Sequence, residues 1–63
     1  MLEQALLREQ VQDLLAGERQ AEAAYAALLA KVDDPQLREH LQQLRRDKQR
    51  QVRLVERLLQ ILD

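Results

Sequence analysis

Apolar residues return along most of this chain in alternating steps of four and three. The first such seam runs Leu7, Val11, Leu14, Glu18, Ala21, Tyr25, Leu28, Val32; the second runs Leu37, Leu41, Leu44, Lys48, Gln51, Val55, Leu58, Leu62. That step keeps side chains on one face of an α-helix and is the heptad repeat of left-handed bundles and coiled coils. Leu15 and Leu29 widen the first stripe, and Val52, Leu54, Leu59 and Ile61 widen the second. The break between the seams is Asp33-Asp34-Pro35. Proline fits the first turn of a helix but not its interior, and an Asp just before it can accept bonds from the free N–H groups. The pattern predicts a helix over about 2–32, a turn at 33–34 and a helix over about 35–62, all in one domain spanning 1–63. At 1.5 Å per residue each helix is roughly 40–46 Å long. So short a turn sets the two antiparallel, and the fold class is an all-α two-helix hairpin.

One neighbouring helix cannot cover stripes this wide. Two hairpins packed face to face would bury them as a four-helix bundle. The expected bundle core is Leu7, Val11, Leu14, Ala21, Leu28, Leu41, Leu44, Val55, Leu58 and Leu62. Gly17, Ala21 and Ala24 leave room for another backbone near the middle. The partner expected is a second copy of the chain, as a homodimer or part of a higher assembly. The alternative is a hairpin cut from, or docked onto, a larger helical partner.

Composition supports the need for a partner. Sixty-three residues hold a marginal core, and without cysteine neither a disulfide nor a thiolate zinc site can reinforce it. The absence of Ser, Thr and Cys removes the common nucleophiles, and one Gly forbids a phosphate-cradling loop. With Tyr25 the sole aromatic, base-stacking platforms are missing too. No apolar run approaches the ~18 residues of a membrane span, so the reading is a soluble, cytoplasmic protein with no membrane contact. Eight Arg against two Lys, with no Asn, Ser or Thr, is a composition common in GC-rich or thermophilic bacteria. The 10 basic and 11 acidic groups nearly cancel but are segregated. Residues 1–34 carry 3 basic and 7 acidic groups, and residues 35–63 carry 7 basic and 4 acidic. An acidic helix beside a basic one favours the antiparallel hairpin.

Glu18, Lys48 and Gln51 interrupt the seams, and antiparallel pairing brings residue i near residue 67 − i. All three therefore fall at one level near mid-bundle, with the Tyr25 hydroxyl as the other polar group on the seams. Charges placed there must pair with one another or stay hydrated. The stretch Gly17-Glu18-Arg19-Gln20-Ala21 with Tyr25 resembles the first metal-binding helix of rubrerythrin-type ferritin-like proteins. The stretch from Asp34-Pro35 through Leu41 and Leu44 to Asp47-Lys48-Gln49-Arg50-Gln51 resembles the helix that follows it. The two-helix length is also similar to encapsulated ferritins, whose hairpins dimerise into a four-helix bundle. That resemblance, over roughly residues 14–62, implies a carboxylate on the first helix and Glu-x-x-His on the second, binding two irons. Glu18 falls at the first ligand position. Lys48 and Gln51 stand where Glu and His would be, and a protonated Lys has no lone pair to donate. No metal or other cofactor is therefore expected. Two readings stay open: a degenerate ferritin-like hairpin with Glu18–Lys48 pairs in place of metal, and a heptad bundle whose polar layer sets register.

The remaining candidates read as structural. His40 beside Glu39 is a surface residue, and Tyr25 packs in the seam with its hydroxyl on a carboxylate or backbone group. Glu18 and Glu22 share a helix face at i, i+4 spacing, but nothing around them encodes a substrate pocket. Arg45, Arg46, Lys48, Arg50, Arg53 and Arg57 form the most basic segment, which reads as a solvated or ion-paired face before a phosphate contact. The expected function is a small non-enzymatic structural or protein-interaction module, with no catalytic residues. A ferritin-like metal binder of altered chemistry and a nucleic-acid-associated hairpin are the alternatives.

Overall fold

A computed structural model describes residues 2–62 as two helices, α1 over Leu2–Leu29 and α2 over Pro35–Leu62. They pack antiparallel into a rod of 51 × 15 × 10 Å. Leu, Ala, Gln, Glu and Arg dominate both, and their unbranched or small side chains lose little freedom in a helix.

The start of α2 is built as the Asp-Pro signal predicts. Pro35 takes the first helical position, and Asp34 Oδ1 accepts from the Leu37 amide at 3.0 Å. The Arg38 amide donates to the Asp34 carbonyl at 2.9 Å, closing the first turn. The end of α1 differs from the sequence expectation. The helix stops at Leu29 rather than near Val32, and residues 30–34 form the connection. The Arg38 guanidinium donates to the carbonyls of both Leu29 and Val32. Those carbonyls thereby gain a partner that no further helical turn supplies. The Lys31 amide turns back to the Leu28 carbonyl at 3.0 Å, tightening the final turn. The residue before a proline also avoids helical backbone, which keeps Asp34 out of a continuous rod.

The far end is closed in the same manner. Arg8 Nη2 and Gln4 Nε2 donate to the Leu62 carbonyl at 3.2 and 2.9 Å. The last carbonyl of each helix, Leu29 and Leu62, thus accepts from an arginine near the start of the other, where a cation also complements the helix dipole.

The contact line between the helices lies to one side of the broad apolar stripe. Val11, Leu15 and Leu29 are buried on α1 and Leu41 on α2, with Arg8, Glu18, Glu22, Ala26, Arg45, Val52, Val55 and Leu59 half-buried beside them. Leu15 and Leu29, expected only to widen the stripe, are therefore central to the hairpin. Of the expected bundle core, Val11 and Leu41 are buried and Ala21, Val55 and Leu62 half-buried. Leu7, Leu14, Leu28, Leu44 and Leu58, with Leu37, are 41–49% exposed. A hairpin has one contact line, and these residues lie on the side facing away from it. Among the described residues no large side chain is fully buried. Among these residues no helix is long and apolar enough to cross a membrane.

Candidate functional site

The seam positions 18, 48 and 51 do converge. Lys48 Nζ donates to Glu18 Oε2 at 3.1 Å and to Gln51 Oε1 at 3.0 Å. Gln51 lies one turn beyond Lys48 on α2, and antiparallel packing supplies Glu18 from α1 (the pair 18 and 48 fits the expected register within one residue). The ion pair is partly sheltered, with the Lys48 and Glu18 side chains 28% and 19% exposed.

One turn nearer the connection, Glu22 Oε1 accepts from Arg45 Nε at 2.8 Å and from Gln49 Nε2 at 3.1 Å. The Arg45 hydrogen bond, with its charge, holds the Glu22 carboxyl below its ordinary range, against a smaller opposing effect of burial. Sequence reasoning did not single out this second group. Its signal was present: Glu22 follows Glu18 by four residues, Arg45 precedes Lys48 by three, and the antiparallel register joins the two. On the other side of the layer Arg19 Nη2 meets Glu56 Oε2 at 3.1 Å. The middle of the hairpin is thus a ladder of cross-helix ion pairs between two apolar ends.

Tyr25 does not join the layer. It lies two turns along α1 from Glu18, is half-buried, and makes no hydrogen bond among the described residues. His40 is exposed on α2, remote from Glu18 and Glu22.

This arrangement suits structure more than chemistry. Each of the two carboxylates, Glu18 and Glu22, is engaged by its own cation, so they do not form a coupled acid–base pair. The depression lined by Gln36, Glu39, His40, Gln43 and Arg46 is the flank of α2 alone rather than a cleft. Among the described residues no group of three His, Cys, Asp or Glu side chains is placed to hold a metal ion. An ammonium group bonded to Glu18 and Gln51 puts positive charge where a di-iron site would need lone pairs, so this donor set does not fit iron.

The chain belongs to the family described as Domain of unknown function (DUF892), which it matches over residues 3–63. That family is grouped with the ferritin-like proteins. No curated protein and no solved structure matches the chain.

Proposed function

We propose that this chain is a small non-enzymatic helical module that works in the cytoplasm by self-association, pairing as a homodimer to complete a four-helix bundle. One observation carries the reading: the unburied heptad columns Leu7, Leu14, Leu28 and Leu37, Leu44, Leu58, which both helices present away from their mutual contact line. Covering them is worth roughly 25 cal/mol per Å² of apolar surface removed from water. Light scattering at micromolar concentration tests the reading. The expected mass is twice the 7.4 kDa of one chain, and a well-folded monomer would overturn it.

A second reading is favoured by the family match: a ferritin-like site that has lost its iron ligands. Lys48 and Gln51 would then occupy inherited ligand positions beside Glu18. The double variant Lys48→Glu, Gln51→His should restore binding of Co(II), visible as ligand-field absorption absent from the unmodified protein. No gain of metal would assign the layer to register alone. Nucleic-acid binding has no comparable support, because Arg45 and Lys48 of the basic segment are engaged by Glu22 and Glu18.

A further inference from the structure

The exposed columns can meet a second copy in two ways, and charge distinguishes them. On α1 the column is Leu7, Leu14, Ala21, Leu28; on α2 it is Leu37, Leu44, Gln51, Leu58. Within the hairpin, residue i of α1 lies level with about residue 66 − i of α2, as the contacts Gln4–Leu62 and Glu18–Lys48 fix. A two-fold axis along the rod would place both connections at one end. Leu7 would then meet the partner's Leu58, Ala21 the partner's Leu44, and Leu28 the partner's Leu37. A two-fold axis across the rod would place the connections at opposite ends. Leu7 would meet the partner's Leu28, and Leu37 the partner's Leu58. Both pair leucine with leucine toward the ends of the rod and set Ala21 and Gln51 opposite leucines near its middle, so the apolar pattern does not choose.

The charges differ sharply between the two. α1 carries five acidic and two basic side chains, a net −3, while α2 carries three acidic and seven basic, a net +4. The axis along the rod lays each acidic helix against the partner's basic helix. The axis across it lays α1 on α1 and α2 on α2, like on like. Packed helices lie roughly 8–10 Å apart, within about one Debye length at physiological salt, so this difference is felt across the interface.

We infer that the partner is a second copy of this chain, docked with its connection at the same end, so that α1 of each hairpin lies against α2 of the other. The inference rests on the self-association reading above and specifies its geometry. A nitroxide on Asp33→Cys tests it by pulsed dipolar spectroscopy, since Asp33 is exposed in the connection and the chain has no other cysteine. The expected result is an inter-label distance of roughly 20–25 Å, about two helix diameters. A distance near the 51 Å length of the rod would overturn the orientation while leaving self-association intact. No dipolar modulation, with a monomer mass by light scattering, would overturn both. A label on Gln60→Cys, exposed near the opposite end of the rod, gives an independent reading of the same two distances.

Discussion

Lys48 is the residue on which the middle of the hairpin depends, since its ammonium binds Glu18 from the facing helix and Gln51 from its own. Replacing it with Met keeps the length and apolar stem but leaves the Glu18 carboxylate without its counter-charge. We expect Lys48→Met to cost about 1–2 kcal/mol, between the ranges for exposed and fully buried pairs. The unfolding midpoint in denaturant measures it. Adding Glu18→Leu to Lys48→Met should recover most of the loss, because neither charge then remains to be satisfied. Additive losses in the double variant would show that the pair does not interact. This contact was legible in the sequence because antiparallel geometry fixes which positions share a level, and polar residues on an apolar seam stand out. The arginine caps were not. Arg8 and Arg38 reach carbonyls across a helix end, and a long flexible side chain leaves no spacing rule that announces its target.

Between elements, the start of α2 and the stop of α1 were unequally readable. An Asp-Pro signal specifies its own local geometry, and the structure follows it with Asp34 capping Leu37. The stop of α1 depends instead on a guanidinium nine residues beyond Leu29, so helix-forming composition carried the expectation three residues too far. The same distinction explains the seams. Heptad periodicity identifies a broad apolar stripe, but the line along which one neighbour touches it depends on the rotation of both helices. That line follows Val11, Leu15 and Leu29 on α1, with Glu18 and Glu22 between them facing the basic groups of α2. The leucines left outside it, Leu7, Leu14 and Leu28 on α1 and Leu37, Leu44 and Leu58 on α2, keep heptad positions, whereas chance surface leucines occur singly.

At the scale of the molecule, a rod 10 Å thick along its narrowest dimension has no interior in the ordinary sense. Two helices side by side can shelter only the strip between them, so most leucines stay partly wet and, among the described residues, no large side chain is fully enclosed. Chains of this length are short of core even when compact, and this one has no disulfide to compensate. Folding and pairing should therefore be one equilibrium, with the second hairpin supplying the other wall of the core. For such a dimer each tenfold rise in protein concentration adds about 1.4 kcal/mol to the stability of the pair. With the unfolding entropy typical of the roughly 126 residues in two chains, that corresponds to a rise in Tm of about 5 °C. Thermal melts followed by far-UV circular dichroism across two decades of concentration measure the slope directly. A hairpin that stood alone would melt at one temperature throughout. A concentration-dependent midpoint, with its enthalpy matching two chains unfolding together, would instead tie the exposed columns to the association that stabilises the fold.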